Sequence, residues 1–333
     1  MVLKIAVNGF GRIGRCVARI VASRDDVEIV AINDMADIDM LLYLLKNDSV
    51  HGTFSSDIEQ IDENNISING KKIRVFNDRD PKDLKFADCG ADIVLECTGI
   101  FLTQESAQVH IDNGIKKVLF SAPAKDKETP TFVMGVNEKT YAGQTIVSNA
   151  SCTTNCLGPI AKVLDDAFGI QKGLMTTIHS YTNDQSILDV KHPTDKRRAR
   201  AGAINMIPTT TGAAKAISLV MPQLYGKLHG QSVRVPTPNV SMVDLNVVVS
   251  KQTSIEEVTA VFNKAAQTNL KGLLLMDREM RVSQDFIGCE YSSIVAEDLT
   301  QVISGDMIKI MAWYDNEWGY SCRLVDMAVH ISK

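Results

Sequence analysis

The pattern of apolar and polar positions follows two different grammars along the chain. From Leu3 to about Ile32, an apolar run (LKIAVN), a glycine turn, an amphipathic stretch (IGRCVARIVASR) and a second apolar run (EIVAIND) succeed one another. Short continuous apolar runs suit strands buried on both faces, and the helical spacing between them completes a βαβ unit, so a parallel sheet is expected. Further runs at KKIRVF, DIVLECTG, KVLFSAP and TIVSN, separated by stretches such as TQESAQVHIDNG, extend that sheet to about Ala150.

Beyond Ser151 the pattern changes. The stretch SCTTNCLGPIAKVLDDAFG reads as a helix leading to a strand at GLMTTIHSY, and alternation at SMVDLNVVVS and MIKIMAWYDN predicts strands of a sheet with one wetter face. Two more helices are expected, TTGAAKAISLVMPQL ending at Pro222 and SIEEVTAVFNKAAQ opened by a Ser254/Glu257 capping box. Residues 182–202 carry no period and read as a long basic loop, while Leu324, Val325, Ala328 and Ile331 fall at helical spacing near the end. The division expected is a first domain over 1–150, a second over 151–316, and a C-terminal helix over 317–333 packing back onto the first. The first is a doubly wound parallel α/β sheet, the second an α+β domain with a mixed, largely antiparallel sheet.

Composition adds limits. With 45% apolar and 23% charged residues the chain has ordinary globular composition, and no apolar run reaches the length of a membrane span. The opening MVLKIAVNGFG lacks a basic start and a cleavage site, so a cytoplasmic location is expected. Seven cysteines, an odd number without a Cys-x-x-Cys pair, suit reduced thiols better than a disulfide framework or a metal site. A net charge of −5 argues against a dedicated nucleic-acid partner.

Gly9, Gly11 and Gly14 form G-x-G-x-x-G between the first strand and the first helix, the context that gives this pattern its meaning. The glycines permit a tight turn and close approach of a pyrophosphate to the helix N-terminus, which makes a Rossmann dinucleotide site the reading of the first domain. Asp34 ends the second strand, where a carboxylate accepts from an adenosine ribose and repels a 2′-phosphate, so NAD is favoured. Arg12 reads equally as a pyrophosphate ligand or a solvated side chain.

Cys152 sits in SNASCTTNC, whose small hydroxyl and amide residues suit a helix start. A thiol there feels the positive helix end, and a nearby imidazolium lowers its pKa further. Inert burial is the bland alternative for any one cysteine, and the preferred one for Cys156 one turn later. His179 closes GLMTTIHSY and becomes catalytic only with a partner. Thr182, the TTTG run at 209–212 and Arg234 offer anion-binding groups, each also explicable as a helix start or a surface ion pair. The cluster Lys196, Arg197, Arg198 and Arg200 reads as a solvated or interfacial loop.

Taken together, NGFGRIGR, SNASCTTNCLGP, HSYTNDQ, RRARAGAINMIPTTTGAAKA, VRVPTPNVS and WYDNEWGYS resemble the phosphorylating, NAD-dependent glyceraldehyde-3-phosphate dehydrogenases over essentially the whole chain. The resemblance implies a glycolytic oxidoreductase, a homotetramer and a thioester mechanism. It implies Cys152 as nucleophile and His179 as base, with Ser151, Thr153, Thr211 and Gly212 around inorganic phosphate and Thr182 and Arg234 on the substrate's own phosphate. Arg12, Ile13, Asp34, Arg79 and Ser121 are implied as cofactor contacts, and Asn316 as the contact to the nicotinamide amide. Many NAD-specific members carry Leu-Pro where this chain has Val190 and Lys191, so use of NADP, helped by Lys191 in a neighbouring subunit, is an expectation too. An acid-releasing erythrose-4-phosphate dehydrogenase is the close alternative, and a binding protein that keeps only the fold is the distant one.

Overall fold

The computed structural model describes residues 2–333. The chain forms two compact units. One comprises the residues up to Phe132 together with Glu138–Ser151 and Ser321–Lys333, and the other Val133–Asn137 and Cys152–Tyr320.

The first unit holds β1 (Leu3–Asn8), α1 (Arg12–Val21), β2 (Val27–Asn33), α2 (Ile38–Lys46), β3 (Ile58–Asp62), β4 (Asn65–Ile68), β5 (Lys71–Phe76), β6 (Ile93–Glu96), α3 (Gln104–Asp112), β7 (Lys117–Phe120) and β8 (Ile146–Ser148). Its sheet runs β3-β4-β5-β2-β1-β6-β7-β8. From β5 to β8 every neighbouring pair is parallel, as the continuous apolar runs predict. Ile5, Ala6, Val7, Val94 and Leu95 have no exposed surface, because helices cover both faces of such a sheet.

The antiparallel edge β3–β4–β5 escapes the sequence reading. The residues of β3, IEQID, are exposed or only partly covered along the whole strand, so no apolar face marks it. α2 escapes for a related reason, since it buries only Leu41 and Leu45 and owes its start to Asp37, whose side chain accepts from Met40 N at 2.8 Å.

Strand order reverses at β1, which has β2 on one side and β6 on the other. Crossovers leave in opposite directions there, opening a crevice at the carboxyl ends of β1 and β6.

The second unit holds α4 (Cys152–Phe168), β9 (Ile170–Ser180), β10 (Ile207–Thr210), α5 (Ala213–Val220), β11 (Leu228–Val235), β12 (Ser241–Val249), α6 (Ile255–Gln267), β13 (Leu274–Asp277), β14 (Ser293–Ala296), β15 (Gln301–Ile303), β16 (Met307–Tyr314) and the start of α7 (Trp318–Ser332). Its sheet runs β10-β11-β9-β12-β16-β14-β13, with β15 beside β16. Only β9–β11 and β13–β14 are parallel among these pairs. In β12, Val243, Leu245, Val247 and Val249 are buried, while Asp244 and Asn246 face the wetter side, where Asp244 meets Lys309 at 2.6 Å. α4 packs against β12, β14 and β16 on the dry side.

Ser254 and Glu257 make the reciprocal capping box at the head of α6. α5 begins only at Ala213, later than its sequence pattern suggests because Thr210 still belongs to β10, and it stops before Pro222, where residues 222–224 turn as a single 3₁₀ unit. No helix or strand forms between Ser180 and Ile207 among the described residues. That loop is braced internally, with Val190 N donating to Ala199 O at 2.9 Å and Arg200 bonding Asp189 at 2.7 Å.

From Ser321 onward α7 belongs to the first unit, and Leu324, Val325, Ala328 and Ile331 are fully buried there. Arg24 holds Asp326 at 2.6 Å.

Candidate active site

The glycine turn after β1 opens the crevice. Gly9 has φ +94°, and a Cβ on it would lie 2.8 Å from the backbone of Cys97 and Thr98. A Cβ on Gly14 would come within 2.3 Å of Gly9 O, whereas one on Gly11 would meet nothing within 4 Å. Gly14 therefore lets α1 close onto the end of β1, Gly9 lets the turn lie against the segment after β6, and Gly11 leaves its backbone open to a ligand.

A cavity of about 580 Å³ lies at this turn, and Gly9, Gly11, Asp34 and Arg79 line it together with Thr98 and Phe101. Asp34 Oδ2 accepts from Phe10 N at 2.8 Å and its Oδ1 from Ala36 N at 3.0 Å, which holds the carboxylate beside the turn with lone pairs to spare. The cleft, the open Gly11 backbone and the anchored carboxylate fit a dinucleotide. Arg12 and Ile13 stand at the start of α1. The guanidinium of Arg12 is paired with Asp48 at 2.5 Å, so it is neither simply solvated nor wholly free for a pyrophosphate. That ion pair, with two backbone N–H bonds from Val50 and His51, brings the Asp48 carboxyl down to about 2 against the effect of its burial. Ser121 sits behind the cavity wall, its N–H on Glu96 O at 3.0 Å and its side chain on the Cys97 thiol.

In the second unit Cys152 occupies the first turn of α4, half-buried, with Sγ 3.6 Å from His179 Nε2. His179 comes from β9. Its Nδ1 lies 2.7 Å from Ser180 O, which can only accept, and 3.0 Å from Arg234 Nη1, which can only donate. The shorter contact favours the proton on Nδ1, which turns the Nε2 lone pair to the thiol and leaves the Arg234 approach a contact without a hydrogen bond. The parallel register of β9 and β11 sets Arg234 beside His179. Arg234 Nη1 donates to Ser180 O at 2.9 Å and to Thr182 Oγ1 at 3.2 Å, and lies 3.0 Å from His179 Nδ1.

The electrostatics differ from the sequence expectation in one respect. Burial pulls His179 down to about 3, and Arg234 adds to that shift. Burial likewise pushes the Cys152 thiol up, opposed by Arg234 and by bonds from Thr153. Burial by itself thus disfavours the charged form of each group, so a thiolate and an imidazolium here depend on forming together. Such a pair can still pass a proton from Sγ to Nε2, and the attraction between the charges so formed offsets their burial.

Thr153 is buried, and its hydroxyl shares a bond with Tyr314 Oη at 2.8 Å. Thr177 joins the same phenol at 2.9 Å. Ser151 precedes Cys152 at the head of α4, partly covered. Thr211 Oγ1 accepts from Ala213 N at 3.2 Å, and Gly212 is the exposed residue before α5. Asn316 is buried, with Oδ1 accepting from Ser241 Oγ at 2.8 Å, so its Nδ2 is the group it can offer. Ser241 in turn accepts from Ser180 N. The residue before it, Val240, is a buried β-branched residue at φ +66°, a strained conformation held by the surrounding bonds, including Ser180 Oγ on its carbonyl.

Two residues of this site were not singled out by the sequence. Tyr314 is one strand residue among several, and only pairing of β16 with β12 brings its phenol to α4 and β9. Arg198, which reads as a loop cation, bonds Asp184 at 2.8 Å, Thr209 Oγ1 at 2.9 Å and Thr210 O at 3.2 Å. Its charge depresses both Arg234 and His179. The RRAR run was a signal of basic character, but nothing in it told Arg198 from its neighbours.

Comparison with known proteins agrees with both units. Residues 3–104 match the family described as glyceraldehyde 3-phosphate dehydrogenase, NAD binding domain, and residues 151–316 match its C-terminal domain. The chain is 53% identical over 331 residues to glyceraldehyde-3-phosphate dehydrogenase 1 of Bacillus cereus, covering 99% of this chain and 98% of that one. It is 52% identical to glyceraldehyde-3-phosphate dehydrogenase of Geobacillus stearothermophilus, over 100% and 99% of the two chains. Similarity of 52% also extends to the chloroplastic glyceraldehyde-3-phosphate dehydrogenase A of Chlamydomonas reinhardtii, over 98% of this chain and 88% of that one.

Proposed function

The chain belongs to the glyceraldehyde 3-phosphate dehydrogenase family, and from that membership we propose which of its residues carry the reaction and how. Members oxidise glyceraldehyde 3-phosphate with NAD through a cysteine thioester, and this chain does the same.

Cys152 is the nucleophile and His179 its base. The observation that carries this assignment is the 3.6 Å approach of His179 Nε2 to Sγ, with Nδ1 held 2.7 Å from Ser180 O. His179 takes the thiol proton as Sγ bonds the aldehyde carbon. His179 then gives that proton to the former carbonyl oxygen, forming the hemithioacetal hydroxyl, and takes it back as the carbon gives up its hydride and becomes a thioester carbonyl. NAD, when bound, supplies the hydride acceptor. In the second half an oxygen of inorganic phosphate attacks the thioester carbon, the C–S bond breaks, and 1,3-bisphosphoglycerate leaves Cys152 as thiolate. The N–H groups at the start of α4 face the oxyanion formed in both halves.

Arg234 and Thr182, already bonded to each other, hold the substrate's own phosphate. Ser151, Thr153, Thr211 and Gly212 hold inorganic phosphate, Thr153 from a hydroxyl anchored on Tyr314 and Gly212 at the N-terminal end of α5. Gly9, Gly11, Arg12, Ile13, Gly14, Asp34, Arg79 and Ser121 form the dinucleotide site, and Asn316 offers Nδ2 to the nicotinamide amide. Use of NADP is a finer reading, supported by similarity to chloroplastic relatives and by Lys191 on an exposed loop. A homotetramer in the cytoplasm completes it. The exposed Ile187, Leu188, Ile204 and Met206 of the loop after β9 support an interface with other copies.

The deciding experiment measures reduced nicotinamide formed from glyceraldehyde 3-phosphate and NAD, with and without phosphate, for wild type and Cys152→Ser. Phosphate-dependent turnover abolished by the substitution is expected. Turnover indifferent to phosphate would point to acid release instead, and turnover that survives Cys152→Ser would remove Cys152 as nucleophile.

A further inference from the structure

The crevice at the switch point has a carboxyl group buried beneath it. Glu96 ends β6 with no exposed surface, beside Asn8 at the end of β1. A buried carboxylate carries a desolvation cost of several kcal/mol unless bonds compensate it. Glu96 Oε2 accepts from Asn8 Nδ2 at 2.7 Å, and Oε1 from Thr98 N at 2.9 Å and from the Thr98 hydroxyl. Behind it lies His110, also fully buried, with Nε2 3.7 Å from Oε2 and its ring stacked on Phe86.

These bonds run outward to both walls of the dinucleotide cavity. On one side, Asn8 Oδ1 accepts from Asn33 Nδ2 at 2.8 Å, and Asn33 grips both the N–H and the carbonyl of Asp78, next to Arg79. On the other, Thr98 Oγ1 accepts from Ile100 N at 3.0 Å and so shapes the segment leading to Phe101. Asn8, Asn33, Asp78, Thr98 and Ile100 all line the cavity.

An amide can face either way, but Glu96 presents only oxygens, and with the Thr98 donors on Oε1 its Oε2 is left to accept from Asn8. Glu96 therefore fixes Asn8 with Nδ2 inward, which turns Oδ1 to Asn33, which in turn fixes the amide that holds the Asp78–Arg79 segment. An uncharged side chain of the same size would fill the space without imposing that order. We propose that Glu96 is a positioning residue for the dinucleotide, a buried carboxylate that sets the hydrogen-bond direction of both cavity walls while touching neither the ligand nor the thiol.

The proposal rests on the reading that this cavity takes NAD, and the test separates the two. Calorimetric titration with NAD, without substrate, is run on wild type, Glu96→Gln and Thr98→Val. No binding by wild type would overturn the cofactor reading itself. With wild type binding, Glu96→Gln is expected to bind at least about tenfold more weakly, the scale of one lost hydrogen bond to a charged group. In turnover the loss appears in the KM for NAD, while kcat at saturating NAD and the KM for glyceraldehyde 3-phosphate change less than about twofold. A merely structural role would lower all of these together, and that result, or unchanged NAD affinity, would overturn the proposal. Should Glu96→Gln fail to fold, Thr98→Val decides, since it removes from a partly exposed loop the hydroxyl that donates to Glu96 and accepts from Ile100 N. Wild-type NAD affinity in that variant would equally overturn it.

Discussion

The ring of Tyr314 stands edge-on to that of His179, centroids 6.1 Å apart at 75°, while its hydroxyl ties Thr153 of α4 to Thr177 of β9. Nucleophile and base arrive from different elements, and this phenol fixes the distance between those elements. Tyr314→Phe keeps the ring but leaves two buried hydroxyls short of a partner, at about 1–3 kcal/mol. A lower Tm and a several-fold lower kcat are expected, checked by thermal denaturation and steady-state kinetics. Unchanged values for both would show that the phenol has no positioning role.

His179→Ala removes the base and leaves the thiol. The rate of acyl-enzyme formation should fall about 10²- to 10⁴-fold, the usual contribution of a positioned base. Single-turnover release of reduced nicotinamide measures that step apart from product release.

Arg234 lowers both members of the pair, so its loss should raise both. In Arg234→Leu the thiol becomes more reluctant to ionise, and alkylation of Cys152 by iodoacetamide at mild alkaline pH slows. The His179 imidazole resonance, followed by NMR, should titrate at higher pH than in wild type. A faster alkylation would contradict the assignment.

The depressed pKa of His179 also shapes acid stability. Between about 3 and the ordinary histidine value, the unfolded chain binds a proton that the folded chain does not, so this group makes stability rise with pH across that window. His179→Gln should flatten that acid arm by up to about one proton, read from urea midpoints measured against pH.

The glycines of the turn separate folding from binding. Gly14→Ala places a methyl 2.3 Å from Gly9 O and should cost about 1–3 kcal/mol of stability as well as NAD affinity. Gly11→Ala meets no protein atom within 4 Å, so Tm should hold while NAD affinity falls. Equal NAD affinity in Gly11→Ala and wild type would place the pyrophosphate elsewhere. In the same assays, an equal NAD-to-NADP turnover ratio for Lys191→Ala and wild type would remove Lys191 from cofactor choice.

By itself the sequence determined what is encoded locally. Apolar runs marked β1, β2, β5, β6, β7 and β8, most plainly β6 and β8, where a strand buried at every residue leaves nothing polar to obscure it. The glycine spacing marked the turn at Gly9–Gly14, because only glycine allows that backbone its conformation and approach. The motifs around Cys152, His179 and Arg234 named the family. Tertiary structure alone decided the rest, for reasons of distance in sequence and of burial. Register brought Arg234 to His179 across a separation of 55 positions, and pairing of β16 brought Tyr314 beside His179. Burial then pushed the Cys152 thiol up and His179 down, against the pull of the helix end, because desolvation depends on surroundings that no local run of residues contains.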